Sequence, residues 1–268
     1  MGVTPSEGSD DVVANPIASS ESRWRGLAST IPEGVATPAM NDALPDVGSP
    51  APWSIAGRGV FWSAKARRSD RDLLPPALAR FAVPLLRVGF GVRYSHTPVG
   101  TYNELGGVIV YARPGGVFGH IPFLPVDSAA TMRGGRENWA LPKVLAEFSG
   151  DPAERSEFTA SGDGWSVGVS VGDAAPARAL AVPKALGWPI LSSVIVPVIS
   201  GMEQVFADGS RARTGALDIP DFDITTAETT VTVSTTGSEP LRRLFPDRAY
   251  RGNVITYRDV VLGAPRIR

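Results

Sequence analysis

One lysine stands out among the residues of this chain that could act as a nucleophile. Cysteine is absent, and lysine occurs only at positions 65, 143 and 184. Lys143 has apolar residues on both sides, from Trp139 to Leu145. Burying an ammonium group is costly, so such a lysine either extends its amine to water or loses its proton. Two interpretations stay open: a surface lysine whose stem covers the core, or a neutral amine that attacks a ketone and forms a Schiff base.

Two other motifs suggest chemistry that the remaining sequence does not complete. Gly164 to Gly168 matches the Gly-x-Ser-x-Gly pattern of serine hydrolases, which requires a strand-to-helix turn and a histidine later in the chain. Here the segment alternates like a strand, and both His96 and His120 precede Ser166. We therefore predict a strand there. With two histidines 24 residues apart and no cysteine, the sequence predicts no metal site.

The segment around Lys143 resembles the signature of the acetoacetate decarboxylase family. The run Gly135-Arg136-Glu137 is followed by an aromatic residue, two further positions, and Pro142-Lys143. In that family the lysine after the proline forms the Schiff base. The resemblance thus implies that Lys143 is the catalytic residue.

Other segments resemble the same family in chain order. Tyr102-Asn103-Glu104 is similar to the family's segment with a catalytic glutamate, which implies that role for Glu104. Gly57-Arg58-Gly59 lies where the family has an arginine facing the substrate carboxylate, which implies that Arg58 binds substrate. Downstream, Ile195-Val196-Pro197 and the strand-rich tail resemble the family's C-terminal half, so the similarity covers nearly all of residues 50–268.

Three residues next to the lysine are further candidates for substrate binding. Trp139 is expected to form a wall of the pocket. Arg136 and Glu137 either contact substrate or form an ion pair that braces the loop. The residue types alone favour the ion pair.

Two departures from the family pattern bear on the substrate. Val144 follows Lys143 where better-known members have a second lysine, so only desolvation is available locally to lower the pKa of the amine, by up to about 3–5 units. The stretch Arg87 to His96 has no carboxylate, although the family's decarboxylases carry a second acidic residue there. The sequence therefore does not identify acetoacetate itself as the substrate.

The elements that must position these residues are mostly strands. Residues 1–49 are rich in Ser, Pro, Gly, Ala and Asp and predict a mostly disordered leader with a brief helical turn near Trp24, followed by a domain over residues 50–268. Period-two patterns predict strands at 107–112, 146–149, 157–160, 165–171, 225–234 and 253–262. Short helices are predicted in pieces over 70–81, at 128–132 and at 240–245.

Strands without alternating helices indicate a β-rich α+β domain with a curved or closed, barrel- or cone-like antiparallel sheet. The resemblance implies the acetoacetate decarboxylase fold and a homo-oligomer. The formal net charge of −1 gives no reason to expect nucleic acid or an anionic membrane as a partner. Without a secretory signal or an apolar run of about 20 residues, the expected location is the cytoplasm.

The expected activity is a lysine-dependent decarboxylation of a small β-keto acid to a ketone and carbon dioxide, without a cofactor. One alternative uses the same lysine for aldol condensation, dehydration or cyclisation of a longer keto acid. The other is a β-barrel that binds a carboxylated apolar ligand without transforming it.

Overall fold

Strands make up most of the chain in a computed structural model, which describes residues 16–154, 157–179, 201–215 and 223–268. Fourteen strands lie in these residues: β1 Trp53–Lys65, β2 Val83–His96, β3 Tyr102–Arg113, β4 Gly116–Val126, β5 Lys143–Leu145, β6 Glu147–Ser149, β7 Glu157–Gly162, β8 Trp165–Val171, β9 Arg178–Ala179, β10 Met202–Val205, β11 Arg211–Thr214, β12 Asp223–Thr236, β13 Arg248–Leu262 and β14 Arg266–Ile267.

The strands form one sheet in the order β14-β11-β10-β4-β3-β2-β1-β13-β12-β8-β7-β6, with β5 beside β4 and β9 beside β12. Pairing is antiparallel except where β4 meets β5 and β10. The predicted β-rich fold with an antiparallel sheet and few short helices is confirmed. Closure is not seen in the described strands, because β14 and β6 end the order without pairing with each other.

The helices are short and lie around the sheet. They are α1 Pro16–Arg25, α2 Pro38–Asp42, α3 Pro76–Ala79, α4 Ala129–Trp139 and α5 Glu239–Leu244, with 3₁₀ turns at Pro32–Gly34 and Arg68–Leu73. The segment 70–81 is broken at its two prolines, as predicted, because proline cannot continue a helix from within. Helix α4 runs seven residues beyond the predicted end at Met132, through Gly134 and Gly135.

The four central strands β1 to β4 are buried on both faces. One hydrophobic cluster contains Val60 and Trp62, and a second contains Phe90 and Val92. Register places these pairs on opposite faces, since Val60 lies opposite Gly91 and Trp62 opposite Gly89 on the neighbouring strand. The second face carries the residues around Lys143.

The described part of the predicted leader is ordered, which corrects that expectation for residues 16–49. Trp24, Leu27 and Ile31 are at most 3% exposed and join the two hydrophobic clusters. Burial of these three side chains outweighs the disorder that the Ser- and Pro-rich composition favours. Residues 1–15 lie outside the described residues.

Other sequence predictions can be placed directly. The Gly-x-Ser-x-Gly segment lies in β8, and Ser166 Oγ is 2.9 Å from Thr236 Oγ1 on the paired strand, so no nucleophile elbow exists there. Lys184, Ile195-Val196-Pro197 and the apolar stretch around them lie outside the described residues. No helix in the described part of the chain is long and apolar enough to cross a membrane. These residues also contain no group of three or more side chains that could hold a metal ion.

Candidate active site

Lys143 is placed by the junction between α4 and the short strand β5. Ala140 ends the helix in the left-handed conformation with φ of 54°, and the amide of Leu141 donates to the carbonyl of Gly135 at 3.2 Å. Strand β5 then pairs in parallel with β4, where Lys143 lies opposite Leu124. The chain thus reverses within three residues and directs the lysine into the face that carries Phe90 and Val92.

The amine of Lys143 meets a carboxylate and two hydroxyl groups. Its Nζ lies 2.8 Å from Glu104 Oε2, and both residues are less than 5% exposed. Nζ also donates to Thr131 Oγ1 at 2.7 Å and to the hydroxyl of Tyr102 at 3.4 Å. The structure therefore brings together the two residues predicted to be catalytic, in a site closed to bulk water.

Gly135 makes room for the stem of this lysine. A Cβ atom at this position would lie 2.7 Å from both Cδ and Cε of Lys143. The neighbouring Gly134 has a different role, because a Cβ there would lie 2.4 Å from the ring of Trp53. A helix with two adjacent glycines loses about 1 kcal/mol per glycine relative to alanine. Here the close packing of two large side chains requires them.

Burial lowers the pKa of the Lys143 amine, although the charge and hydrogen bonding of Glu104 act in the opposite direction. Desolvation favours the neutral form of an amine, and a nearby carboxylate favours the ammonium. In this site desolvation is the larger effect. The amine is accordingly easier to deprotonate than an exposed lysine.

Three tyrosines surround the carboxylate of Glu104. The hydroxyl of Tyr94 donates to Glu104 Oε1 at 3.1 Å, and the rings of Tyr94 and Tyr102 stack with 4.6 Å between centroids. The ring of Tyr257 on β13 lies edge-on to that of Tyr94, with 6.4 Å between centroids. Burial is the main cause that raises the pKa of each phenol above its usual value, so all three remain neutral. They can donate hydrogen bonds to a developing negative charge.

Sequence reasoning missed Tyr94 and Tyr257, although Tyr102 lies in the quoted Tyr-Asn-Glu segment. Their place depends on register, which pairs Tyr94 with Tyr102 and with Gly57, and Gly57 with Tyr257. A Cβ on Gly57 would lie 3.2 Å from the hydroxyl of Tyr257. The glycine before Arg58 was the one local signal that a side chain from another strand occupies this space.

Arg136 is completely buried and donates hydrogen bonds to backbone carbonyls. These contacts differ from the substrate contact that the sequence offered as one expectation. Its guanidinium donates to the carbonyls of Trp24 at 3.2 Å, Arg25 at 2.8 Å and Lys143 at 2.9 Å. Desolvation by burial lowers the pKa of Arg136 to about 10.

Glu137 and Trp139 are also held by partners other than the amine. Glu137 is exposed and pairs with Arg133 at 3.2 Å, so the expected ion pair with Arg136 is not formed. Positions 133 and 137 are one helical turn apart, whereas 136 and 137 point in different directions. The indole of Trp139 donates to the carbonyl of Gly263 at 2.8 Å and packs edge-on against Trp53. These contacts tie α4 to the rest of the domain.

Arg58 lies on the other face of the sheet from Lys143. It is in the middle of β1, opposite Arg93 on β2, and Arg93 in turn lies opposite Asn103 on β3. Glu104 is the next residue along β3, and successive side chains of a strand point to opposite faces. The structure therefore does not bring Arg58 to the Lys143–Glu104 pair. Its Nε is buried and has no hydrogen-bond partner among the described residues.

Comparison with known proteins gives matches along most of the chain. The family model described as acetoacetate decarboxylase matches residues 66–263. "Acetoacetate decarboxylase 3" of Mesorhizobium japonicum is 30% identical over 112 residues, which cover 41% of this chain and 42% of that protein. The match thus spans less than half the length of that relative.

Solved structures share the fold at low identity. An acetoacetate decarboxylase from Legionella pneumophila aligns with a TM-score of 0.55 and 18% identity, over 86% of this chain and 94% of that one. The enduracididine biosynthesis enzyme MppR, complexed with pyruvate, aligns with a TM-score of 0.54 and 15% identity, over 82% and 91%. At these identities the similarity is one of fold.

Proposed function

Because this chain belongs to the acetoacetate decarboxylase family, we propose that Lys143 forms a Schiff base with a β-keto acid and that the enzyme releases carbon dioxide and a ketone. The observation that carries the proposal is the buried pair of Lys143 Nζ and Glu104 Oε2 at 2.8 Å. An amine whose pKa is lowered by burial supplies the nucleophile. A carboxylate within hydrogen-bonding distance supplies the group that moves protons.

Lys143 and Glu104 can share one proton, which lies either on the amine or on the carboxylate. Each of these two protonation states serves a different step of the reaction. With the proton on Glu104, the neutral amine of Lys143 attacks the ketone carbon and gives a carbinolamine. The carboxylic acid then donates its proton to the carbinolamine hydroxyl, which leaves as water while the lone pair of nitrogen forms the iminium. Glu104 is then a carboxylate next to a cation, a pairing that stabilises the iminium.

The iminium accepts the electrons of the bond that breaks. When the carboxylate of the substrate leaves as carbon dioxide, the electron pair of the C–C bond moves to form an enamine. A proton taken up from solvent, with Glu104 as its relay, adds to the enamine carbon and restores the iminium. Water then adds to the iminium, Glu104 accepts a proton, and the ketone leaves together with the neutral amine of Lys143. Closure of the site against bulk water strengthens the electrostatic interactions at each of these steps.

The neutral phenols replace Arg58 in our proposal for orienting the substrate. Tyr94, Tyr102 and Tyr257 lie on the face that carries the reactive amine, and Arg58 does not. A phenol donates a hydrogen bond without holding the substrate carboxylate by a full charge. We propose that this weaker hold lets carbon dioxide depart.

A second candidate uses the same lysine without loss of carbon dioxide. On β2 it is the phenol of Tyr94, and no carboxylate, that faces Glu104, so like-charge repulsion that would drive carbon dioxide out is absent from this strand. One MppR structure is described as a complex with the condensation product of pyruvate and imidazole 4-carboxaldehyde. In this candidate the iminium loses a proton from the adjacent carbon, and the resulting enamine adds to an aldehyde.

Mass spectrometry of the intact protein after borohydride reduction tests both candidates. The protein is incubated with a panel of keto acids, and Lys143→Ala is compared with Lys65→Ala, which removes an exposed lysine. We expect the parent protein and Lys65→Ala to gain the mass of an adduct, and Lys143→Ala to gain none. An adduct lighter by carbon dioxide supports decarboxylation, and an intact adduct that grows on addition of aldehyde supports condensation. If no keto acid gave an adduct, the remaining candidate would be a sheet domain that binds a carboxylated ligand without transforming it. That the protein is a homo-oligomer and lies in the cytoplasm stays a prediction. Light scattering, which measures molecular mass in solution, tests the oligomeric state.

A further inference from the structure

The carbonyl oxygen of Lys143 is held by a buried cation that has no counter-ion among the described residues. Arg136 uses Nη1 for this carbonyl, Nε for Trp24 and Nη2 for Arg25, and it is 0% exposed. Burying a guanidinium is expensive unless its hydrogen-bonding groups are satisfied. Three carbonyl acceptors satisfy these donors, so the cation can link two distant parts of the chain.

Two of the three acceptors lie in the N-terminal segment, here defined as residues 16–34. This segment precedes the part of the chain that the family model matches, which begins at residue 66. It is firmly docked, since Trp24 is 3% exposed and the guanidinium of Arg133 lies over its ring at 5.1 Å. The segment therefore provides fixed acceptors and does not merely cover the surface.

The part of the chain that Arg136 holds has little other support on this side. Strand β5 has only three residues, and the turn that precedes it contains Ala140 in the left-handed conformation. A cavity of about 150 Å³ is lined by Ala140 and Pro142 of this turn and by Gly26 and Ser29 of the N-terminal segment. Atoms that line a cavity lack packing neighbours there. Hydrogen bonds through Arg136 thus add to the pairing of β5 with β4 as a restraint on the lysine backbone.

We propose that Arg136 is a positioning residue, and that through it the N-terminal segment holds the backbone of Lys143 so that the amine stays in its dry site beside Glu104. This inference rests on the proposed Schiff-base function of Lys143. If the backbone shifts, the stem of Lys143 loses its seat against Gly135 and water reaches the amine. The amine then returns toward its ordinary protonation behaviour.

Arg136→Lys tests the proposal, with Arg133→Lys as a matched control. Arg133 lies on the same helix and also binds the N-terminal part of the chain, since it donates to the carbonyl of Pro45 at 2.7 Å and pairs with Glu137. Among the described contacts it does not touch Lys143. Both substitutions keep the positive charge, so a difference between them reports the contact with the lysine backbone.

The readout is the rate of borohydride-trapped adduct formation with one reactive keto acid, measured across pH. For Arg136→Lys we expect the midpoint to rise by about one pH unit, with capture about tenfold slower at pH 7 and close to normal above the midpoint. Arg133→Lys keeps a cation near the ring of Trp24 and has no described contact with the carbonyl of Lys143, so it should shift the midpoint less than Arg136→Lys does. Equal midpoints in the parent and in both variants would overturn the inference, and so would an equal shift in both variants. A parent protein that forms no adduct would instead refute the proposed function.

A second variant covers the case in which Arg136→Lys does not fold. Trp24→Leu keeps an apolar side chain at the site but loosens the segment that presents two of the carbonyls. We expect a smaller rise of the midpoint in the same direction. A folded Trp24→Leu protein with the midpoint of the parent would contradict the role given to the N-terminal segment.

Discussion

The hydroxyl of Tyr94 donates a hydrogen bond to Oε1 of Glu104 at 3.1 Å. The other carboxylate oxygen, Oε2, lies 2.8 Å from Nζ of Lys143. The two oxygens thus have separate partners, one fixed and neutral and the other able to gain and lose a proton. Tyr94 holds the carboxylate in the orientation that keeps Oε2 on the amine.

Replacing Tyr94 with phenylalanine should impair catalysis beyond its effect on stability. Loss of one hydrogen bond to a buried carboxylate should cost about 1–3 kcal/mol in free energy of unfolding. We expect kcat to fall about tenfold, since proton transfer by a positioned group contributes about 10²–10⁴-fold in all and only its positioning is disturbed. Steady-state kinetics and chemical denaturation measure the two effects.

Tyr111→Phe is the matched control for this substitution. The hydroxyl of Tyr111 donates to another buried carboxylate, Glu203 Oε2, at 2.8 Å. This variant should lose a similar amount of stability and retain its kcat. If the two variants lost kcat equally, Tyr94 would have no special part in the reaction.

Replacing Glu104 with glutamine should separate nucleophilicity from turnover. The charge of Glu104 raises the pKa of Lys143 against the effect of burial, so its removal should lower that pKa further. The pH midpoint of adduct formation should move to lower pH, while kcat falls by about 10²–10⁴ because proton transfer is lost. Glu137→Gln, at an exposed position, should change neither quantity. A midpoint that moved to higher pH would show that the carboxylate does not act on the amine as described.

The two helix glycines should respond differently to alanine. In Gly135→Ala the new methyl group displaces the stem of Lys143, which is flexible, so stability should change little and adduct formation should be largely lost. In Gly134→Ala the methyl group meets the rigid ring of Trp53, and overpacking should cost about 1–3 kcal/mol while the lysine stays reactive. Thermal unfolding and borohydride capture distinguish these outcomes, and a reactive Gly135→Ala protein would argue against the tight seat of the lysine.

His120 should make the protein less stable as the pH falls below neutral. Burial lowers its pKa to about 4, and its Nδ1 donates to the carbonyl of Glu203 at 3.0 Å. Between about pH 6.5 and 4 the unfolded chain binds a proton that the folded chain does not, so stability rises with pH in this window. The full difference is about 3 kcal/mol, present above pH 6.5 and lost toward pH 4. His120→Asn keeps a donor and should flatten this part of the stability curve in urea titrations, whereas an unchanged slope would assign the pH dependence to other groups.

Resemblance to the family pointed to Lys143 and Glu104, and local patterns predicted six of the fourteen described strands. Lys143 and Glu104 lie in short segments that resemble those of the family, and the structure brings their side chains together. Strands β7, β8 and β12 alternate with period two, which is a property of neighbouring residues. These predictions needed no knowledge of which strands pair.

The remaining parts of the site depend on pairing between distant strands. Tyr257 reaches Tyr94 because β1, β2 and β13 are neighbours in the sheet, and no local pattern states this order. Arg58 illustrates the same limit, because a one-residue difference along β1 decides which face a side chain occupies. The Gly-Arg-Gly motif pointed to Arg58, but the register of β1 places its side chain on the face opposite to Lys143.

The sequence predicts disorder for the N-terminal segment because its Ser- and Pro-rich composition hides the signal of three apolar residues. Trp24, Leu27 and Ile31 follow at spacings of three and four, which is typical of a buried face, but they lie among serines, prolines and glycines. Their burial becomes favourable only against residues that come later in the chain, from Leu44 and Val60 to Arg136. A stretch that cannot fold alone can still be ordered when the rest of the domain is present.

The link from Arg136 to Trp24 spans 112 residues, and this separation has a consequence for how reactivity arises during the life of the chain. In a nascent or partly unfolded molecule Lys143 is a solvated ammonium with an ordinary pKa of about 10.4, so it attacks aldehydes and ketones more slowly than a neutral amine does. On the role proposed above for Arg136, Lys143 reaches its full reactivity only after the N-terminal segment has docked. Borohydride capture on Lys143 would then report that docking in the intact protein.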